Sequence, residues 1–136
     1  MLNELASFFA FDPLFLRGIT VSGGDINGDG ISDVIVGAKA GAGPHVKVFD
    51  GRSLRSGIQN ELASYFAFDQ AFAGGINVGS RDINRDGFDD VFVGAGLGGK
   101  SNVSEFDGRS LTGGTPRLLG SFFGYDSTFT GGVFVG

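Results

Sequence analysis

Two stretches of the chain carry the same spaced set of oxygen-bearing side chains. The first reads Asp25-Ile-Asn-Gly-Asp-Gly-Ile-Ser-Asp33 and the second reads Asp82-Ile-Asn-Arg-Asp-Gly-Phe-Asp-Asp90. Each places Asp or Asn at positions 1, 3, 5 and 9, and a glycine at position 6 where the backbone must turn sharply. Calcium takes about 6–8 oxygen ligands, which a short loop can supply by turning alternate residues inward. The pattern predicts about two calcium ions per chain.

The predicted ligands are four side chains and one backbone carbonyl in each loop. In the first loop they are Asp25, Asn27, Asp29, Asp33 and the carbonyl of Ile31; in the second they are Asp82, Asn84, Asp86, Asp90 and the carbonyl of Phe88. Asp, Asn and Gly are also common in ordinary turns, which is the alternative interpretation. The same spacing in two loops at equivalent places favours the metal. Asp89 lies outside the predicted set, so its substitution is expected to change little.

The loops differ from an EF-hand, which needs a glutamate at position 12 and a helix on each side. Position 12 is Val36 in the first loop and Val93 in the second. The flanking segments, 19–21 and 34–36, are apolar and mostly β-branched, which is typical of strands. Each loop is therefore expected to join two β-strands.

The chain repeats itself with a period of 57 residues. Glu4–Asp12 returns as Glu61–Asp69 and again, altered, as Leu119–Asp126. Residues 4–60 and 61–117 are identical at 31 of 57 positions, without a gap. The predicted organisation is one propeller-type unit over residues 1–136, with repeats 4–60 and 61–117 and a truncated third copy, 118–136.

Each repeat contains four segments that resemble strands. In the first repeat they are Leu5–Phe11, Ile19–Ser22, Val34–Val36 and His45–Phe49, the last closed by a turn at Asp50-Gly51. No segment has the 3.6-residue apolar period of a helix, so helix is expected to be nearly absent. Four short strands in a unit of this length indicate a propeller blade. The predicted fold class is all-β, with blades of four antiparallel strands and about two and a half repeats.

The sequence resembles the FG-GAP, or integrin-α-type, calcium-binding β-propeller repeat. The matching features are Phe15…Gly18 followed by Val21–Ala38, and then Phe72…Gly75 followed by Asp82–Ala95. The resemblance implies that the calcium loop joins the first two strands of a blade. Leu5–Phe11 would then be the outer strand of a preceding blade, and Gly132–Gly136 the inner strand of a following one. Complete propellers of this family have more blades than this chain holds.

The charge and hydropathy of the sequence disfavour nucleic acid and membranes as partners. The net charge is −5, and seven of the 15 acidic residues lie in the two loops, so the acidity is local to the predicted sites. No basic patch for nucleic acid is present, nor any apolar run near the ~20 residues of a membrane span. No signal peptide is visible at the N-terminus. The resemblance implies a parent protein that is extracellular or at the cell surface.

The sequence contains few of the residue combinations that enzymes use for catalysis. His45 is the only histidine, its counterpart in the second repeat is Asn102, and no G-x-S-x-G motif is present. We therefore expect a structural or binding scaffold that is not an enzyme. Two alternatives stay open, a lectin-like adhesion propeller that binds a glycan or protein, and a non-catalytic fragment of a secreted hydrolase or lyase.

The two ends of the predicted two-blade unit are expected to promote self-association. A two-blade unit exposes an apolar face at each end, and monomers seldom leave more than a few hundred Å² of such surface uncovered. Because the repeats are alike, a head-to-tail homo-oligomer is predicted.

Overall fold

The computed structural model describes residues 6–126 and 128–135. Within them the chain forms two four-stranded antiparallel sheets, in which neighbouring strands follow chain order. Blade 1 consists of β1 (Ile19–Gly24), β2 (Asp33–Ala38), β3 (His45–Phe49) and β4 (Glu61–Phe66). Blade 2 consists of β5 (Ile76–Arg81), β6 (Asp90–Ala95), β7 (Asn102–Phe106) and β8 (Leu118–Phe123). The prediction of an all-β fold with four-stranded antiparallel blades is confirmed.

The acidic loops lie at the same corner of each blade. Residues 25–32 connect β1 to β2, and the pairing of the two strands runs from Gly24 opposite Asp33 to Ile19 opposite Ala38. Residues 82–89 connect β5 to β6 in the same way. β2 and β6 are the apolar strands with little exposure on either side, since both faces of the sheet are covered there. The loops are thus carried on the most buried strand of each blade.

Two terminal segments predicted as strands are not strands. Residues 6–11 and 132–135 have no strand assignment, while Leu5 and Gly136 lie outside the described residues. The internal counterparts of Leu5–Phe11 are β4 and β8, which form because they pair with β3 and β7 of their own blades. Within residues 6–126 and 128–135, no strand pairs with residues 6–11 or 132–135. A strand without a paired neighbour leaves its backbone groups unbonded.

The turn predicted after β3 is a single helical turn. α1 (Gly51–Arg55) and its counterpart α2 (Gly108–Thr112) each follow an aspartate. Asp50 caps α1, because its Oδ2 accepts a hydrogen bond from Ser53 N at 3.0 Å. A Cβ atom at Gly51 would collide with the carbonyl oxygen of Ser32, so the calcium-type loop packs directly on the start of the helix. In the first repeat, Asp-Gly-Arg-Ser therefore provides both a side-chain helix cap and a close backbone contact. In the second repeat, Gly108 makes the equivalent close contact, with the Asp89 carbonyl oxygen, and Asp107 makes no side-chain cap hydrogen bond.

The main core lies between the two blades. Its buried members come from both sheets: Ile26, Ile35, Val46, Val48 and Tyr65 from blade 1, and Ile76, Val78, Val91, Val93, Phe106 and Leu111 from blade 2. A smaller cluster on the other side of blade 1 contains Ala10, Val36, Phe49 and Leu54. The repeated phenylalanines contribute unequally, since Phe9 and Phe66 are largely exposed.

Candidate metal centre

The first loop gathers its oxygen atoms around its own backbone N–H groups. Asp25 accepts hydrogen bonds from Asp29 N at 3.0 Å and from Gly30 N at 2.8 Å. Asn27 Oδ1 accepts from the same Asp29 N at 3.2 Å. Two of the predicted ligand oxygens, from positions 1 and 3, therefore lie beside one N–H group.

Asp33 stands at the base of the loop, where β2 begins, and is only 1% exposed. Its Oδ2 accepts from Ile26 N at 2.9 Å, and its Oδ1 accepts from Gly51 N at 2.9 Å. Burial raises the pKa of Asp33 above its usual value, and the nearby Asp29 carboxylate raises it further, although the backbone N–H groups oppose the change. A bound cation would offset both the burial and the repulsion.

Asp29 is the loop residue that already has a cationic partner. Its Oδ2 lies 3.1 Å from Nε of Arg52 on α1, and its Oδ1 accepts from Ile31 N at 2.9 Å. Arg52 also donates from Nη2 to the Asp29 carbonyl oxygen at 3.3 Å. The guanidinium is well exposed, so it can move away when another cation takes the carboxylate.

The second loop repeats this arrangement. Asp82 accepts from Asp86 N at 3.2 Å and from Gly87 N at 3.0 Å, and Asn84 Oδ1 accepts from the same Asp86 N at 3.2 Å. Asp90 is fully buried, with Oδ1 accepting from Gly108 N at 3.0 Å. One difference is clear: Arg109, the counterpart of Arg52, lies over the Phe88 ring, 5.3 Å from its centroid.

An additional acidic side chain orients each predicted asparagine ligand. Asn27 Nδ2 donates to Asp50 Oδ1 at 3.1 Å, and Asn84 Nδ2 donates to Asp107 Oδ1 at 3.1 Å. Because the amide nitrogen is held by that aspartate, the amide oxygen is the atom that faces the loop. The hydroxyl of Ser53 is the main reason that the pKa of Asp50 is lowered, which keeps this acceptor ionised. Asp50 and Asp107 were not among the predicted site residues, although each is the first residue of a repeated Asp-Gly-Arg-Ser sequence.

The donor set is chemically suited to a hard divalent cation. In residues 6–126 and 128–135, no three acidic or histidine side chains converge into a preformed metal cluster. The loop carboxylates instead accept hydrogen bonds from backbone N–H groups. Carboxylate, amide and carbonyl oxygens are the ligands calcium prefers. Among the described residues, the carbonyl oxygens of Ile31 and Phe88 accept no hydrogen bond.

Comparison with known proteins identifies the type of repeat to which the first loop belongs. The FG-GAP repeat family matches residues 17–52, which contain β1, the first loop, β2, β3 and the start of α1. Residues 17–52 are an integrin-type FG-GAP repeat. Integrin alpha-4 of Xenopus laevis is 36% identical over an alignment that covers 90% of this chain and 12% of that protein. Integrin alpha-V of Gallus gallus is 34% identical over 93 residues, 65% of this chain and 8% of that protein.

The chain thus spans about a tenth of the length of these curated relatives. No solved structure shows a significant match. The helices α1 and α2 have five residues each. In residues 6–126 and 128–135, no helix has the length and apolar character needed to cross a membrane.

His45, the single histidine of the sequence, packs beside two aromatic rings. The His45 ring lies 5.2 Å from the Phe11 ring and 4.9 Å from the Phe66 ring, centroid to centroid. Its Nε2 is 2.6 Å from Ser64 Oγ. Burial lowers the pKa of His45, and Lys47 lowers it further, so the ring is neutral at physiological pH. These contacts place His45 in side-chain packing on blade 1.

Proposed function

We propose that the chain is a structural module of a calcium-binding β-propeller, with one calcium ion in each acidic loop and no catalytic activity of its own. The ligands are those predicted from the sequence: Asp25, Asn27, Asp29, Asp33 and the Ile31 carbonyl in the first loop, and Asp82, Asn84, Asp86, Asp90 and the Phe88 carbonyl in the second. The proposed setting is an extracellular or cell-surface protein that presents the propeller to a protein or glycan ligand.

The observation that carries the proposal is the equivalence of the two loops. Each holds a buried aspartate at position 9, two oxygens around the N–H of position 5, and an asparagine whose nitrogen is fixed by an outer aspartate. Turn chemistry alone does not require a fully buried carboxylate at the same point of two loops, because burial of an unneutralised charge is unfavourable. A divalent cation supplies the missing neutralisation.

The role of the ion is stabilisation of the blade corners. Extracellular calcium modules bind with dissociation constants of about 10⁻⁴–10⁻³ M. An ion that binds only the folded state stabilises it by RT ln(1 + [L]/Kd), about 1.4 kcal/mol per site at tenfold excess over Kd. Thermal unfolding in millimolar calcium should therefore occur at a higher temperature than in chelator. Superimposed unfolding curves would contradict the proposal.

Titration calorimetry of single variants tests the ligand assignment. Asp25→Ala should remove the first site, and Asp82→Ala the second, each leaving one site that binds as before. Asp69→Ala is the matched control, because Asp69 is an exposed aspartate outside both loops whose Oδ1 only accepts from Ala71 N. Two sites remaining in either loop variant would show that the position 1 aspartates are not ligands.

A second candidate, binding of a glycan or another small ligand, is favoured by one cavity. A space of about 360 Å³ beside β3 is lined by aromatic and charged side chains, among them Phe11, Phe15, His45, Lys47 and Phe66. Aromatic rings with a few polar groups are typical of ligand sites. The second repeat has Asn102 and Ser104 at the positions of His45 and Lys47. Glycan-array binding that is lost in the double variant His45→Asn/Lys47→Ser would support this role, and unchanged binding would exclude the cavity.

A further inference from the structure

The contact between the two blades uses one face of each. The forward face of blade 1 consists of Ile26, Ile35, Val46, Val48 and Tyr65, and the rear face of blade 2 consists of Ile76, Val78, Val91, Val93, Phe106 and Leu111. All eleven residues are buried. At the centre of the contact the rings of Tyr65 and Phe106 lie 4.9 Å apart. At its edge, Ser80 Oγ donates to the Gly23 carbonyl oxygen at 2.6 Å.

The 57-residue repeat places copies of both faces at the two ends of the molecule. The rear face of blade 1 consists of Ile19, Val21, Val34, Val36, Phe49 and Leu54, and these six are identical in type to the rear face of blade 2. The forward face of blade 2 consists of Ile83, Phe92, Val103, Glu105 and Phe122. Ile83 and Val103 are the same residue types as their counterparts in blade 1. Phe92 and Phe122 replace Ile35 and Tyr65, and the charged Glu105 replaces Val48. The rear end face therefore has the same residues as one half of the internal interface, and the forward end face is a variant of the other half.

Both end faces are partly open. Val21 is 59% exposed, whereas its counterpart Val78 is 6% exposed in the internal contact. Phe122 is 49% exposed, whereas its counterpart Tyr65 is 8% exposed. Apolar surface that is covered once within the chain is thus left exposed at each end. Edge strands and apolar patches of this kind are where partners bind.

The terminal segments cover the remainder of these faces through contacts equivalent to those between blade 1 and blade 2. The Phe8 ring lies 5.0 Å from the Phe49 ring, as Tyr65 lies on Phe106. At the other end, Asn77 Nδ2 donates to the Val133 carbonyl oxygen at 2.8 Å. In the internal contact, Thr20 Oγ1 donates in the same way to the Ile76 carbonyl oxygen at 3.1 Å. Each terminal segment occupies the position of one strand of a neighbouring blade.

This cover is incomplete, because space remains beside each segment. A cavity of about 420 Å³ lies next to Phe8, lined by Val34 and Leu54 of the rear face and by Arg55. Another of about 330 Å³ lies on the forward face of blade 2 and is lined by Phe92 and Phe122, among others. In the internal contact, the corresponding residues Val91, Leu111, Ile35 and Tyr65 are buried. The terminal segments therefore cover the end faces incompletely.

We propose that a second copy of this chain docks head to tail, with its rear face of blade 1 on the forward face of blade 2 of the first copy. The second copy is the occupant because its rear face is identical, residue by residue, to the one that the forward face of blade 1 already accepts. Docking displaces residues 6–11 of one copy and 130–135 of the other. The proposal rests on the proposed role as a propeller module, and such contacts close into a ring when the rotation between copies permits.

Complementary variants test the contact. Val21→Glu damages only the rear face and Phe122→Glu only the forward face, and both positions are exposed, so the single chain should still fold. In analytical ultracentrifugation with millimolar calcium, the unmodified chain should associate as its concentration rises. Each variant alone should show a dissociation constant at least tenfold higher. An equimolar mixture should form a 1:1 complex that grows no further, since each variant retains one intact face.

Two controls separate this contact from others. Ile58→Glu alters an equally exposed residue that belongs to neither face, and it should associate as the unmodified chain does. Phe8→Ala weakens the terminal segment that competes for Phe49, so association should become tighter. The proposal is overturned by a one-chain mass at about 100 μM for the unmodified chain, by a monomeric mixture, or by weaker association of Phe8→Ala. Calcium titration of the same samples reports the metal sites independently, so the two proposals can fail separately.

Discussion

Asp89 of the second loop and Asp25 of the first loop are joined in both directions. Asp89 N donates to the Asp25 carbonyl oxygen at 2.8 Å, and Asp25 N donates to Asp89 Oδ2 at 2.9 Å. The pair bridges blade 1 and blade 2 through the backbone of position 1 of the first loop. Asp25 is a proposed calcium ligand, so the second loop helps to position the first.

This pair gives Asp89 a structural role, which is separate from the expectation that its substitution changes calcium binding little. Asp89→Ala removes a partly buried, charged acceptor from the junction between the blades, which should destabilise the fold by about 1–2 kcal/mol. Urea unfolding of the calcium-free protein measures the change. Ser32→Ala is the matched control, because Ser32 is the counterpart of Asp89 and makes no side-chain hydrogen bond within the described residues. Equal stability of the two variants would show that the pair contributes nothing.

Arg52 should make the two calcium sites unequal. It pairs with Asp29 in the first loop, whereas Arg109 lies on a phenylalanine ring and leaves Asp86 free of that competition. An exposed ion pair contributes about 0.2–1 kcal/mol, so Arg52→Ala should tighten calcium binding at the first loop by about 1.4- to fivefold. Arg109→Ala should leave the second site within experimental error. Calorimetric titration of Asp82→Ala, with and without Arg52→Ala, isolates the first site, and an unchanged constant would contradict the argument.

The features that could be predicted from the sequence are those that depend on neighbours along the chain. β3 has the predicted bounds, His45–Phe49, because Val46 and Val48 alternate with polar residues on a strand that has one covered side. The two loops fall between adjacent strands as expected, since ligand spacing and flanking β-branched residues are both local signals. The identity of 31 in 57 positions made the second blade a copy of the first.

The features that were missed depend on contacts between distant segments. Leu5–Phe11 matches residues 62–68, which include most of β4, at six of seven positions, yet residues 6–11 are not a strand, because pairing with β3 decides strand formation in β4. Asp89 was set aside because position 8 of the loop has no ligand role, and its bond to Asp25 exists only when two blades are side by side. α1 was predicted as a turn because five residues are too few for a helical period.

Gly28 and Arg85 occupy the same position in the two loops and should respond oppositely to substitution. Both have a left-handed backbone, with φ of 72° and 61°, which glycine adopts more readily than arginine does. Arg85→Gly should therefore stabilise the second loop by about 0.5–1 kcal/mol. Gly28→Ala should destabilise the first by about 1–2 kcal/mol, because a Cβ there would also lie 2.9 Å from the Phe88 ring. Urea unfolding of both variants checks the opposite signs, and changes of the same sign would show that backbone strain does not decide the outcome.

His45 should make stability depend on pH below neutrality. Burial lowers the pKa of His45 in the folded chain, Lys47 lowers it further, and Glu61 opposes the change. The unfolded chain, with an ordinary pKa of about 6.5, binds a proton more readily. The contribution of His45 is therefore present above pH 6.5 and is lost as the pH falls below it. His45→Asn, which introduces the residue found at Asn102, should reduce the loss of stability between pH 7.5 and pH 5.5. Lys47→Ser keeps the imidazole and removes the like charge. The stability that this variant loses between pH 7.5 and pH 5.5 should therefore lie between those of the unmodified chain and His45→Asn. Urea midpoints at the two pH values measure all three proteins, and parallel losses would show that another group is responsible.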